Sequence, residues 1–528
     1  MQSILLIIAL IILLCIVANR FSNKFGMPVL LLFMLLGIAF GVDGFFGFEF
    51  DNYELTGRVC SIALAFIMFY GGFGTKWSAA KPVAVKSVIL STVGVVLTAL
   101  LTAVFCVYAL GFGKVEGFIV GAVLSSTDAA SVFSILRSKK LSLKDGTASM
   151  LEIESGSNDP ISYMLTVIGI SMMNGMKGSV AGLVLCQIVI GVAVGVIVAL
   201  AAQFIMRKTD ILTEGMDTIF VIAVVLVSYA LPSMFNGNGY LSVYLTGIIL
   251  GNSRIANKNN LVHFFDGLTN LAQITIFFLL GLLATPHMMP EIILTSVFIA
   301  LFLTFIARPV TIMALLAPFG ASFGQIGLVS WAGLRGASSI VFAIDVMSSG
   351  MLLGHDIFHI VFMVALLSVA IQGTLLPLVS KKFNMIDEDA DVLKTFNDYQ
   401  EEEAMTLMRM YIPKGHNWEN RLISDVTMPT GSLALMIKRG TDTVIPKGST
   451  RILADDSVIL SVPAYHGGND IRLEEIHIDR RHEWNNKSIS ELNLPENVLI
   501  AMIKRQDQSI IPSGHTVIHE NDTVVIYR

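Results

Sequence analysis

From its first residues to about residue 380 the chain is a succession of long apolar runs, with charges mostly at the seams between them. A helix needs about 20 mainly apolar residues to cross a bilayer core. Counting shorter runs that neighbouring helices or re-entrant geometry can support, about thirteen segments qualify. They run near 2–19, 28–42, 58–73, 82–111, 113–137, 145–173, 178–206, 216–235, 239–252, 265–284, 289–318, 323–347 and 356–381. Only 14% of all residues are charged, against roughly a quarter in soluble domains. The deficit lies before residue 380 and the remainder is ordinary, so a membrane domain precedes a soluble one. The net charge of −5 gives no basic face for nucleic acid. Cys15, Cys60, Cys106 and Cys186 lie in apolar stretches without a CxxC pair and read as small buried hydrophobes. No basic region precedes the Ile4–Val17 run, and Arg20 and Lys24 follow it. That order marks a first span rather than a cleaved leader.

The seams alternate in charge. One set holds Arg20/Lys24, Lys76/Lys81, Arg137/Lys139/Lys140/Lys144, Arg207/Lys208, Arg254/Lys258 and Lys381/Lys382. The other set is poor in basic residues, with Asp43, Glu49, Asp51 and Glu54 in its first loop. Basic loops face the cytoplasm. The expectation is an N-terminus outside, an odd number of spans and a cytoplasmic tail, in a cell (inner) membrane.

Ionisable residues inside spans are expensive and mark function. Ser125-Ser126-Thr127-Asp128-Ala129-Ala130 places small polar residues mid-span, an expected unwound point. Glu152-Ile153-Glu154-Ser155-Gly156-Ser157-Asn158-Asp159-Pro160 holds three carboxylates in one span. Glu154 and Asn158 share one helix face, and Ser155 and Asp159 the adjacent one. Gly333-Leu334-Arg335-Gly336-Ala337-Ser338-Ser339 holds a guanidinium that needs a carboxylate if buried, and Glu154 is its expected partner. Arg308-Pro309 reads as a kink with a paired charge or as a snorkelling end. Asp128 and Asp159 could each be structural, paired with a base elsewhere. The Ser91-Thr92-Val93-Gly94-Val95 run lacks a full selectivity-filter pattern and reads as ordinary helix.

Together these stretches resemble the cation/proton antiporter superfamily, most closely its family 1 of sodium/proton and potassium/proton exchangers. Thr127-Asp128 resembles the unwound-helix motif, Glu154 to Asp159 the asparagine-aspartate motif, and Gly333 to Ala337 the late arginine motif. The resemblance covers residues 1 to about 385. It implies an inverted-repeat fold with two crossed, broken helices, and a homodimer. It implies that Asp159 binds cation and proton in turn, with Thr127, Asp128 and Ser155 as further ligands. Glu154, Asn158 and Arg335 would be a supporting network. Tyr70, in Phe69-Tyr70-Gly71-Gly72, stands where many relatives have an acid. One carboxylate that takes either a cation or a proton gives obligatory exchange. Neutral Asn158 beside Asp159 points to electroneutral exchange of K+ and/or Na+ for H+. No cofactor and no bound metal beyond the transported cation is expected.

An acidic connector, 384–404, follows, and then an ungapped repeat. Ser424-Asp425-Val426, Met436-Ile437-Lys438-Arg439, Pro446, Gly448, Thr450 and Asp456 recur 66 residues later as Ser490-Glu491-Leu492, Met502-Ile503-Lys504-Arg505, Pro512, Gly514, Thr516 and Asp522. Each copy reads as helix, strand, turn and short strands, a small α/β module. The copies, 405–473 and 474–528, resemble the TrkA-C type, the C-terminal half of potassium-conductance regulators. That resemblance implies regulation and a possible small ligand, a cyclic dinucleotide in some relatives. Arg439 and Arg505 could hold an anion or could be exposed sheet charge. A tail-gated channel or uniporter is the competing function. A receptor fits the mid-span acids poorly, and no HExxH or GxSxG suggests an enzyme.

Overall fold

The structure is a computed structural model. It describes the chain except residues 1, 26–27, 140, 176–178, 209–214, 254, 256–257, 351–352, 388–404, 429–431, 441, 464–472, 480–481, 493, 495–498, 506–507, 511 and 528. Most of the acidic connector therefore lies outside the described residues. The chain divides into two units, Met1–Glu401 and Glu402–Arg528.

The first unit is helical. Its main helices are α1 (Gln2–Phe25), α2 (Val29–Phe40), α3 (Tyr53–Gly74), α4 (Ala84–Ala109), α5 (Lys114–Val123), α6 (Ala129–Ser138), α7 (Thr147–Met173) and α8 (Val180–Lys208). They continue as α9 (Met216–Met234), α10 (Gly239–Gly251), α11 (Lys258–Leu283), α12 (Pro286–Phe319), α13 (Phe323–Trp331), α14 (Ala337–Ser348) and α15 (Ile357–Lys382). Among the described residues, 7 helices are long and apolar enough to cross a membrane, and four shorter ones are apolar. Helix α7 is long enough at 27 residues, and its carboxylates and serines lower its hydropathy.

Close helix packing rests on glycine. A Cβ at Gly72, Gly247 or Gly251 would strike the facing backbone across the α3–α10 contact. Gly37 and Gly281 stand in the same relation between α2 and α11. Small residues let backbones approach where lipid gives no hydrophobic drive. Among the described residues, three helices widen locally into π-turns: α4 at Leu90–Gly94, α12 at Leu303–Ala307 and α15 at Ser368–Gly373. The Ser91–Val95 run therefore lies inside a helix, with a local π-turn over its first four residues.

Two helices break. The chain leaves helical geometry between α5 and α6, over 124–128, and again between α13 and α14, over 332–336. The breaks meet: the Asp128 N–H donates to the Leu334 carbonyl at 2.8 Å. At one end of the unit, residues after α15 fold back on the loop before α7. Leu143 bridges Ile386, and the Lys144 and Asp387 N–H groups donate to Met385 and Ser142. Cys15, Cys60 and Cys106 are buried, and Cys186 is half-buried.

The second unit holds two copies of one antiparallel four-stranded sheet. The first has strands β1 (Met405–Tyr411), β2 (Leu433–Arg439), β3 (Asp442–Val444) and β4 (Ser457–Pro463) in the order β1-β4-β2-β3. The second has β5 (Leu473–His477), β6 (Leu499–Arg505), β7 (Gln508–Ile510) and β8 (Thr523–Tyr527) in the order β5-β8-β6-β7. Both central strands carry a register shift at the matching place, Ala434/Met436 and Ile500/Met502. Each sheet has its own core, around Ile437 and Val458 in one and Ile503 and Val524 in the other. The helix expected in each copy is only a 3-10 turn, Ile423–Asp425 and Ile489–Glu491. A leading strand, β1 or β5, completes the sheet instead.

Candidate ion-binding site

The meeting of the two breaks sets four half-helix ends against α7. Half-helix ends expose unpaired N–H and carbonyl groups, so a crossing of this kind offers polar backbone deep in a membrane unit. Asp159 is buried on α7 and accepts a hydrogen bond from the Ser126 hydroxyl. Ser126 lies 2.6 Å, oxygen to oxygen, from Ser338 in the first turn of α14. Ser155 donates to the Thr127 carbonyl at 2.7 Å. The Asn158 amide donates to the Thr127 hydroxyl at 2.5 Å, while Asn158 Oδ1 is buried without a partner among the described residues. Helical spacing on α7 thus presents Ser155, Asn158 and Asp159 to consecutive residues of the first break.

Asp128 reaches the crossing but turns its carboxylate to α6. It accepts from the Ser131 N–H at 3.2 Å and from the Ser131 hydroxyl at 2.5 Å. This is an N-cap, which satisfies donors freed by the break. Gly336 makes room for it, because a Cβ there would collide with the Asp128 side chain.

The expected Glu154–Arg335 pair is not formed. Glu154 pairs with Arg308 at 2.6 Å, and both side chains are buried. The reason is steric. Arg308 on α12 passes over Gly333, where a Cβ would stand 2.7 Å from its Nε. Arg335 instead donates to the Ser126 carbonyl at 2.7 Å, and its backbone N–H donates to Ser368 at 3.0 Å. It meets the carbonyl end of the first break with positive charge, as the helix dipole favours, and stays within electrostatic reach of Glu154. Of the two readings of Arg308, the paired charge is the one observed.

Sequence reasoning did not select Ser126 or Ser338, although both lie in the polar runs it quoted. The signal for Ser126 was its place beside Thr127 in the unwound stretch. Nothing in the sequence foretold that Ser338 would face it from the second break. Tyr70 donates to Asp266 on α11 at 3.4 Å, so a carboxylate stands near this position from another helix.

The two tail arginines are already engaged. Arg439 grips buried Asp456 with two nitrogens, each at 2.8 Å, and Arg505 grips Asp522 at 2.8 and 2.7 Å. Each also donates to a carbonyl, of Arg451 or Val517. Their forks tie the sheet internally, so of the two readings of these arginines neither a free exposed charge nor an unengaged anion ligand is what the structure places there. Burial pushes Asp456 and Asp522 up, but the arginine forks and the N–H groups of Leu453 and His519 outweigh it. Both carboxyls are held below the usual range.

Crossed, broken helices around a buried carboxylate define the architecture of a secondary transporter. A profile of the transmembrane sodium/hydrogen exchangers matches residues 7–382, and the chain belongs to that family. A TrkA-C domain profile matches residues 473–527. The chain is 36% identical over 372 residues to a K(+)/H(+) antiporter NhaP of Alkalimonas amylolytica, covering 70% of this chain and 65% of that one. It therefore spans just under two thirds of that relative's length. It is 30% identical over 463 residues to the K(+)/H(+) antiporter NhaP2 of Shewanella oneidensis, covering 86% and 80%. In fold it is similar to the sodium proton antiporter MjNhaP1 of Methanocaldococcus jannaschii, with a TM-score of 0.63 and 22% identity, over 72% of this chain and 99% of that one.

Proposed function

We propose that this protein exchanges K+ and/or Na+ for H+ across a cytoplasmic membrane, one cation per proton, under the control of its tail. The observation that supports it most is Asp159, buried among oxygens: the Ser126, Ser338 and Thr127 hydroxyls, the Thr127 carbonyl, Ser155 and the unpartnered Asn158 Oδ1. A carboxylate in such a cage attracts a partly dehydrated monovalent cation and attracts a proton as well, and the two compete. Obligatory exchange follows when the site changes sides only while occupied. Thr127 and Ser155 serve as ligands by hydroxyl or carbonyl. Asp128 caps α6 and adds negative potential. Glu154, Asn158 and Arg335, now with Arg308, hold the crossing in shape. The membrane relatives named above are antiporters by name, which favours exchange over a channel. Alternating basic loops support an N-terminus outside and a cytoplasmic tail, and the resemblance supports a homodimer. A small regulatory ligand of the tail would bind away from the Arg439 and Arg505 forks.

The test is dissipation of an imposed pH gradient in sealed vesicles on adding potassium or sodium. Wild type collapses the gradient without a membrane potential, and Asp159→Asn leaves it standing. A mutant as active as wild type sinks the reading.

A further inference from the structure

Asp345 lies on α14, away from the crossing yet in line with it. Ser338, Phe342 and Asp345 stand at i, i+4 and i+7, which is one helix face. Seven residues separate Ser338 from Asp345, roughly 10 Å along the axis. On α7, Asp159 and Tyr163 are likewise one turn apart on one face. Asp159 and Ser338 therefore form one layer, joined through Ser126. Tyr163 and Phe342 form the next.

That second layer is closed by rings. Tyr163 and Phe342 have centroids 5.4 Å apart, Tyr163 and Tyr240 4.9 Å, and Tyr240 and Phe342 5.7 Å. Tyr229 extends the layer at 5.1 Å from Tyr240. Phe342 and Tyr240 are fully buried. Asp345 comes one turn further along, partly exposed, toward the end of the unit that holds the 349–356 link between α14 and α15.

The surroundings of Asp345 are those of an ion site rather than a structural pair. It makes no hydrogen bond or ion pair among the described residues. Gly57 on α3 faces it closely: a Cβ there would stand 3.7 Å from Oδ1, at ordinary contact distance. The titratable groups that feel its charge are Cys60 on α3, Tyr163 on α7, Tyr229 on α9 and Tyr240 on α10, none of them basic. The hydroxyls of Ser61, Tyr229 and Tyr240 gather beside one another. The Tyr240 hydroxyl, fully buried, lacks a well-directed hydrogen bond. An unpaired carboxylate inside a span is costly and calls for a partner. Here the available partner is a mobile cation or proton, with neutral hydroxyl oxygens to complete its shell.

We propose that Asp345, with the hydroxyls of Ser61, Tyr229 and Tyr240, is a second station for the transported cation and proton, separated from Asp159 by the Tyr163–Phe342–Tyr240 layer. It rests on the antiport reading above. Ions would gather at Asp345 on the side of the 349–356 link and pass to Asp159 when the ring layer opens.

The experiment compares right-side-out and inverted membrane vesicles, so that cation is presented to one side at a time. Asp345→Asn raises the KM for cation on the 349–356 side by about threefold or more and leaves the KM from the other side within about twofold. Asp345→Glu restores the one-sided KM. Equal effects from both sides, or none, overturn the proposal. Thallium(I) binding to the full chain in detergent separates this from the antiport reading itself. Two sites in wild type and one in Asp345→Asn support the second station even if no exchange is seen. A single site that survives Asp345→Asn overturns it even if exchange is found.

Discussion

At the scale of single residues, the buried ion pair is the most testable feature. Glu154 and Arg308 are both almost wholly buried, so removing one partner leaves an uncompensated charge. Glu154→Gln is expected to destabilise the membrane unit by about 3–5 kcal/mol. The double variant Glu154→Gln/Arg308→Met is expected to recover part of that loss. Thermal unfolding in detergent reads both, and a double variant no better than the single one would count against the pairing. The partner of Glu154 was misjudged from sequence for a clear reason. Two buried arginines were visible, but which one reaches the acid depends on Gly333, and that glycine acts through space rather than through spacing. Ser155, Asn158 and Asp159 were legible because helical offsets sort them onto adjacent faces of α7, and Thr127 because it sits in the small polar run that breaks the helix before α6. Ser338 was not, because its contact spans the two breaks.

At the scale of elements, the α3–α10 seam depends on Gly72, Gly247 and Gly251. Gly247→Leu is expected to force the helices apart and lower the yield of folded protein, read by size-exclusion profile and melting temperature. A substitution at Gly267, which faces open space, is the matched control and should be near neutral. Most helix ends were readable from apolar runs within a few residues, while α1 runs on to Phe25 and α11 begins at Lys258, because polar and charged residues close those ends. The π-turns were not, since a wider turn leaves composition unchanged. In the tail, repeated spacing announced two copies, while strand propensity alone did not reveal the leading strand of each sheet. The forks there give a pH prediction. Asp456 and Asp522 have depressed folded values, so their stabilisation is full above the ordinary aspartate value and is lost as pH falls below it. Acid unfolding of the 402–528 unit, followed by Trp418 and Trp484 fluorescence, should show stability falling below about pH 4. Asp456→Asn should flatten that dependence in the first sheet.

At the scale of the whole molecule, the crossing holds three carboxylates, Asp128, Glu154 and Asp159, and two guanidinium groups, Arg308 and Arg335. With all five ionised, the crossing is one unit negative. A single bound cation or a single bound proton brings it to neutrality, and both loaded forms then carry the same charge. Moving one elementary charge through a membrane field is worth about 2.3 kcal/mol per 100 mV, and neither loaded form would incur it. Voltage clamped across a reconstituted bilayer should leave the turnover rate unchanged. A current that tracks transport would contradict this. On the proposed one-for-one exchange, the pairing of Glu154 with Arg308, at first sight a matter of packing, would set what the protein can sense: it would be blind to the electrical half of the ion-motive force and would answer only to the concentrations on either side.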